Sequence, residues 1–477
     1  MKGRRIKIFD TTLRDGQQCP GAGMSFDQNI EYARLASSIG IDIVEVGFPA
    51  ASKLEYDIVQ TIASELGGQK DAAIVAALCQ LREDQVDLTI ESLLPAAPFG
   101  KARLHTYLPV DPELMEASLG EKARLKEEIV EDLGRFVERA VKAGLEVEFS
   151  PEGYSRMGEN FDFVTDLIRA AVQSGATTIN CPDTIGGACK LQGRGYFVEK
   201  LNQHAEIIAR EFPGKEIVWS AHCHNDFGLA VANTINAIID GPVRQIEGCI
   251  NGIGERAGNA ALEQCIMIIK HFAPYENQEE PFYTNVKTEK LQEISNFVGR
   301  HMLARQPHWP VTGDNAAKHS SGGHTNAILN NPMAYQAFDP NEVGKKVSMV
   351  FGPLSGGNHA QSIIEEAGYV CEEHEKTEIA HFIKELFKER RKGITDEELI
   401  RGYFQFRAPM NVESFDYSRS SNTSSIHLQG KFFDQTGSIE ESYQGKESAL
   451  AALKRAIDGK IEGLEIENYS SESVGRG

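Results

Sequence analysis

The stretch RIKIFDTTLRDGQQCPGAG (5–23) decides the fold. Its opening run, RIKIFD (5–10), mixes β-branched and aromatic residues and reads as a strand. The turn that follows is glycine-containing but lacks the GxGxxG spacing with which a doubly wound open sheet follows its first strand. Strand-like runs recur at 42–48 (DIVEVGF), 73–78 (AIVAAL), 102–107 (ARLHTY), 145–150 (LEVEFS), 176–181 (ATTINC), 216–222 (EIVWSAH) and 244–249 (RQIEGC). Amphipathic helical patterns separate them at 27–39, 55–66, 123–143, 160–174, 196–212, 228–240 and 259–271. Strands alternating with helices imply βαβ units and a parallel sheet. Eight such units in roughly 270 residues match the size of a closed (β/α)8, or TIM, barrel of the α/β class. The open sheet is the competing arrangement, and the count and the missing fingerprint favour the barrel.

Beyond residue 272 the rhythm changes. HFAPYENQEEPFYTN (271–285) is polar and Pro-containing and reads as a linker. Helical patterns follow at 287–303, 358–367, 374–391 and 395–405, interrupted by a Gly/Ser/Asn/His-rich segment at 312–332 within which HSSGGH (319–324) reads as a loop. The tail, 424–468, reads strand, turn, strand, helix (446–458), strand, a small α+β module. The expected organisation is a barrel over 1–275, linker and helical subdomains over 276–410, and the α+β module over 411–477.

Composition narrows the partners. With 49 basic and 69 acidic residues the net charge is 49 − 69 = −20, so counterion release from a phosphate backbone offers nothing and nucleic acid is not expected. No uninterrupted apolar run reaches membrane-spanning length, and the basic start MKGRR leads into a strand instead of a signal core. Eight scattered cysteines without a CxxC pair fit reduced thiols in the cytoplasm.

Barrel active sites lie at the C-terminal strand ends. Polar residues collect there: Arg14 and Asp15 after strand 1, Glu45 on strand 2, His105 on strand 4, Ser150 and Glu152 on strand 5. Asn180 to Thr184 end strand 6, His222 to Asp226 end strand 7, and Glu247 precedes NGIGERAGN (251–259). In a strand, His222 and His224 point to one face, the arrangement that suits a divalent ion. Local hydrogen bonding is the bland alternative for a lone histidine, and the HxH pair at a barrel strand end outweighs it. Either Asp15 or Asp226 could supply the carboxylate, although Asp226 could instead cap the helix expected near 228. A donor set of imidazole, carboxylate and amide oxygen without thiolate suits Mg or Mn, with Zn also compatible. Arg14 either pairs with Asp15 or faces a developing oxyanion. The 251–259 loop reads as a tight glycine turn, Ser150 and Thr184 as strand-end hydrogen bonders, and HSSGGH (319–324) as a mobile element carrying an acid/base histidine.

Taken together, FDTTLRDGQQCPGAGMS (9–25), VEVGFP (44–49), LHTY (104–107), EFSPE (148–152), TINCPDT (178–184), AHCHNDFGLAVAN (221–233), EGCINGIGERAGN (247–259) and HSSGGH resemble the DRE-TIM metallolyase superfamily, within it the 2-isopropylmalate synthase group. The resemblance covers roughly 5–370. It implies a Claisen condensation of acetyl-CoA with a 2-oxoacid, 2-oxoisovalerate in leucine biosynthesis, followed by thioester hydrolysis. Citramalate or homocitrate synthesis, or carbon–carbon cleavage on the same barrel, are the alternatives. By motif position it implies Asp15, His222, His224 and Asn259 as metal ligands, Arg14 at the keto oxygen and Thr184 at the carboxylate. His105, Ser150, Asn180 and Pro182 would line the side-chain pocket; Glu152 and His324, with Tyr335 in YQAFDP (335–340), would do acid/base work. It further implies a homodimer in which 319–340 reaches the partner's barrel. The sequence departs from the family at His324-Thr325-Asn326, where HQD is common, and at Gln17, where Glu is usual. The tail resembles only the first half of a leucine-binding effector domain, which implies an incomplete leucine site.

Overall fold

The structure, a computed structural model, describes residues 4–272, 281–389, 393–408, 410–432, 435–445 and 448–458. The chain forms two compact units, Met1–Lys318 with Gln336–Ser348, and His319–Tyr335 with Met349–Gly477.

The first unit is built on a closed barrel of eight strands: β1 (Lys7–Asp10), β2 (Ile43–Glu45), β3 (Ile74–Gln80), β4 (Ala102–Pro109), β5 (Glu146–Glu152), β6 (Thr178–Asp183), β7 (Val218–Cys223) and β8 (Val243–Gly248). Neighbours pair in parallel, and β1 closes on β8 with Phe9 opposite Glu247. All eight expected strands form, in the expected order. The crossover helices are α1 (Phe26–Ser38), α2 (Lys53–Gly67), α3 (Glu83–Leu93), then α4 (Pro112–Leu119) and α5 (Lys126–Lys142) in one crossover, α6 (Phe161–Gln173), α7 (Phe197–Glu211) and α8 (Ala230–Ile239). After β8 come α9 (Leu262–Phe272) and α10 (Leu291–His301). Local signals start them. Ser25 and Gln28 make a reciprocal capping box on α1, and Asp111 caps α4 with Pro112 in its first turn. The α5 stripe Leu133, Phe136, Val137, Ala140 recurs at helical spacing and is buried against the barrel.

Three sequence expectations change. Helices α3 and α4 were not among the expected patterns; Asp111-Pro112 is the start signal of α4. In the segment read as a linker, Phe282–Tyr283 pairs in parallel with Arg4–Arg5, so part of it is ordered against the N-terminus; residues 273–280 lie outside the described residues.

The barrel interior is unusually polar. Alternate residues of β4 to β8 face the axis, and they bond across it: Arg103 on β4 donates to Gln245 on β8 at 2.9 Å and to Glu148 on β5 at 2.9 Å, and Gln245 donates to Glu148 at 2.8 Å. Arg103 is 1% exposed, the largest side chain so enclosed. Burial, with Glu247 beside it, drives the Glu148 carboxyl well above the usual carboxylate range. Phe9, Ile43 and Ala76 form a separate apolar cluster in the barrel.

The second unit holds α11 (Gly322–Asn330), α12 (Gly357–Glu366), α13 (Lys376–Leu386) and α14 (Asp396–Arg407). The last three pack around Phe351, Ile364, Ile379, Ile383 and Leu399. An antiparallel sheet β9 (Met410–Arg419), β10 (Thr423–Phe432), β11 (Gln435–Gln444) follows, with α15 (Ala449–Asp458) covering Ile426, Leu428 and Ile439. The strand β9 adds to the expected tail, and the strand expected after 458 falls outside the described residues. The Gly/Ser-rich segment 312–332 is not all loop: after Gly322-Gly323 the run HTNAILN buries Thr325 and Ile328 one turn apart, enough to make α11. Among the described residues no helix is long and apolar enough to cross a membrane.

Arg103 is the cation of this network, and removing it leaves the Glu148 and Gln245 acceptors it serves buried without that donor. Arg103→Met is expected to lower barrel stability by roughly 3–5 kcal/mol. Adding Glu148→Gln should recover part of that loss. The urea midpoint, followed by the fluorescence of Trp219 and Trp309, measures it; a single variant as stable as the parent would refute the network's role.

Candidate active site

At the end of β7 the chain places His222 and His224 on one face, their rings stacked at 5.0 Å between centroids and 16° between planes. Asp15, delivered by the turn after β1, joins them. One ligand atom from each of Asp15, His222 and His224 lies within 4.8 Å of the others, and all three residues are buried. Asp226, the other carboxylate open on sequence, goes elsewhere: it pairs with Arg256 at 2.9 Å. It does not cap α8 either; Asn225 Oδ1 accepts the Ala230 N–H at 3.2 Å.

Two members of the trio, His222 and Asp15, are oriented from behind. His222 Nδ1 faces Glu247 Oε2 at 3.2 Å and its Nε2 faces Asn259 Oδ1 at 2.7 Å. The Asn259 amide donates to Asp15 Oδ1 at 2.6 Å and to the Ile253 carbonyl at 3.0 Å. Asp15 also accepts from Arg14 Nη1 at 2.7 Å, while Arg14 Nε donates to Glu45 at 2.7 Å. The Nδ1 of His224 is buried without a hydrogen-bond partner.

The electrostatics favour a cation. Burial pushes the Asp15 carboxyl up, but Arg14, the two imidazoles and the Asn259 hydrogen bond outweigh it and hold it below the usual range. Burial, reinforced by the neighbouring His222, takes His224 down to about 3, so its imidazole is neutral. His222 goes the other way: burial lowers it, and the Glu247 carboxylate more than reverses this. An ionised carboxylate, a neutral imidazole with an unused nitrogen, a carboxylate-backed imidazole and an amide oxygen fit a divalent ion with oxygen and nitrogen preference. A second convergence, His105 with Glu148 and Glu247, lies deeper in the barrel. Its atoms are already used: His105 bonds Glu45 at 2.6 Å and Ser150 at 2.7 Å, and Glu148 bonds Arg103 and Gln245.

The trio opens into a cavity of about 200 Å³. Its walls include Arg14, His105, Ser150, Glu152, Asn180, Pro182 and Thr184, all expected at the site, and also Gln18, Leu78, Tyr107, Glu255 and Arg256. Asn180 donates to Ser150 at 2.9 Å and to Glu247 at 3.1 Å, leaving its own Oδ1 buried and without a protein donor. Burial raises the Glu152 carboxyl against the opposing pull of Arg14. His324 and Tyr335 belong to the second unit, where their rings stack at 3.9 Å.

Glu45 and Glu247 were recognised at the rim but not as supports for Arg14, His105 and His222. The available signal was a carboxylate inside an apolar strand run, which has to be answered by donors. Leu78 and Tyr107 carry no such signal, since an apolar strand residue is expected anywhere in the core.

Residues 5–298 match the family model described as HMGL-like, and 311–391 the one described as homocitrate synthase post-HMGL domain-like. The chain is 36% identical to the 2-isopropylmalate synthase of Saccharolobus solfataricus, over 83% of this chain and 95% of that protein. It is 34% identical to that of Pelotomaculum thermopropionicum (97% and 87%) and 32% identical to that of Aquifex aeolicus (97% and 88%). Among solved structures, the HMG-CoA lyase of Bacillus subtilis superposes with a TM-score of 0.50 at 20% identity, covering 64% of this chain and 97% of that one, a likeness of fold. A barrel with this trio at its mouth, matched along most of its length by such relatives, belongs to the 2-isopropylmalate synthase family of HMGL-like proteins.

Proposed function

We propose that the chain joins acetyl-CoA to 2-oxoisovalerate, giving 2-isopropylmalate and CoA for leucine biosynthesis. The observation that carries this reading is the convergence of Asp15, His222 and His224 beside Arg14 at a polar cavity. A divalent ion held by Asp15, His222, His224 and Asn259, Mg or Mn with Zn also compatible, would when bound polarise the 2-oxoacid carbonyl as a Lewis acid. Thr184 Oγ1 accepts the Gly153 N–H at 2.8 Å, so its hydroxyl proton can be given to the substrate carboxylate. Arg14 spends Nε and Nη1 on Glu45 and Asp15; its charge at the cavity wall stabilises the oxyanion forming on the keto oxygen. Glu152 takes a proton from the acetyl methyl group. The methyl carbon then bonds to the keto carbon, and water cleaves the thioester. His324 and Tyr335 supply further acid/base groups from the 319–340 segment of a second copy in a homodimer. All eight cysteines are free, which supports a reducing, cytoplasmic setting.

Cavity charge favours a short uncharged substrate side chain. Its arginines, Arg14 and Arg256, are both already paired, so the distal carboxylate of 2-oxoglutarate would be buried without a partner. Discrimination against pyruvate rests on methyl groups, worth only about 1–3 kcal/mol each.

In a CoA-release assay, 2-oxoisovalerate is expected to give the highest kcat/KM and 2-oxoglutarate a value at least ~100-fold lower. No release with any 2-oxoacid would sink the reading, and best turnover on pyruvate would transfer it to citramalate synthesis. His222→Ala should abolish tight Mn binding in equilibrium dialysis. Glu247→Gln, which weakens the hold on the His222 ring, should weaken that binding by roughly 10- to 100-fold; unchanged affinity in both variants would remove the trio from consideration. For pH, a base with a raised pKa is disabled as pH falls through that value, so kcat/KM should decline on the acid side above the ordinary glutamate range. Glu152→Gln should lose this limb and about 100- to 10,000-fold in kcat; an unaltered acid limb would assign it to another group.

A further inference from the structure

Arg256 sits in the glycine-rich loop after β8 with φ of +52°, a left-handed backbone conformation disfavoured for any residue with a Cβ. Glycine would adopt it at less cost, so the side chain has to repay the strain. Its guanidinium forks onto both oxygens of Asp226, at 2.9 and 3.0 Å, and Nη2 also donates to the Thr184 carbonyl at 2.6 Å. Thr184 in turn accepts the Gly153 N–H through its side chain at 2.8 Å. One continuous chain of polar bonds therefore links the ends of β5, β6, β7 and β8. The loops it joins are tightly set: a Cβ placed on Gly186 would fall 2.5 Å from Asp226 Oδ2.

An exposed ion pair alone contributes little. This one is bidentate, with the Asp226 side chain 25% and the Arg256 side chain 43% exposed, and the same guanidinium also holds a backbone carbonyl. Arg256 is also a wall of the cavity.

We propose that Arg256 is a positioning residue: by clasping Asp226 and the Thr184 carbonyl it fixes the ends of β5, β6 and β7 at the barrel mouth and thereby sets the affinity for the 2-oxoacid. The affinity part rests on the proposed function; the clasp does not.

Hydrogen–deuterium exchange and kinetics on the full chain test it with Arg256→Gly, which keeps the left-handed backbone, and Asp226→Asn, which adds no glycine. Both variants should speed exchange across 183–188, about tenfold for the first and less for the second, with exchange in the barrel strands unchanged. The melting temperature should stay within a few degrees, because the glycine relieves strain. KM for the 2-oxoacid should rise about tenfold, with KM for acetyl-CoA and Mn affinity within about twofold of the parent. In a Thr184→Ala background Arg256→Gly should add little further, since both act through one group. Unchanged exchange overturns the clasp even if the parent protein releases no CoA, a result that would instead sink the synthase reading. Faster exchange in Arg256→Gly alone reduces the effect to glycine flexibility and overturns it. Equal loss in both KM values together with metal affinity makes the role structural, and additive effects with Thr184→Ala make Arg256 a direct substrate contact; either result overturns the proposal.

Discussion

A carboxylate on the axis of a closed barrel has no water to turn to, and the Glu247 carboxylate is the one around which this barrel is organised. It accepts from Ser220 at 2.8 Å, Asn180 at 3.1 Å, His222 at 3.2 Å and Gln245 at 3.3 Å. Burial works against its ionised form, but the hydrogen bonds of His222 and Glu148, with His105 nearby, keep it ionised, below the usual range. Its fixed charge turns the His222 ring so that Nε2 faces Asn259 and the mouth. Through Asn180 the same carboxylate orients an amide whose oxygen meets no protein donor. The Asp15–His222–His224 trio and the cavity beside it thus share one buried anion.

That anion is tolerable because cations bracket it. Arg103 answers Glu148 and Glu146 on one side, and Arg14 answers Glu45 and Asp15 on the other. Between them the network is closed by neutral amides and hydroxyls: Gln245, Asn180, Ser150 and Ser220. A rigid arrangement of this kind lets the mouth hold an ionised Asp15 and a neutral His224 side by side.

The barrel was legible because its signal is repeated: eight β-branched runs, nearly all followed by a helical stripe, cannot easily be read otherwise. His222 and His224 were legible because period-two geometry puts them on one face whatever surrounds them. What escaped depends on partners distant in sequence. The Arg256–Asp226 pair spans 30 residues and two loops, and neither residue announces the other. Glu45 was placed at the rim, but its partners Arg14 and His105 lie 31 and 60 residues away in the chain. Composition misled at 319–324, where glycine and serine suggested loop, but Thr325 and Ile328 bury one side and hold a helix.

The loop 251–259 shows how closeness and hold are divided between residue types. A Cβ on Gly254 would lie 2.1 Å from Asn259 Nδ2 and 2.6 Å from Asp15 Oδ1, and one on Gly258 would lie 2.0 Å from the Gly252 carbonyl oxygen. Only glycine lets the backbone press Asn259 against Asp15. A loop made of glycines alone would be close but loose, since each gives up more conformational freedom on ordering than any other residue. Arg256, like Asn251 at the start of the loop, takes a backbone shape that suits glycine, and it uses its side chain to tie the loop to Asp226 and Thr184. The glycines make the approach possible, and the arginine makes it persist.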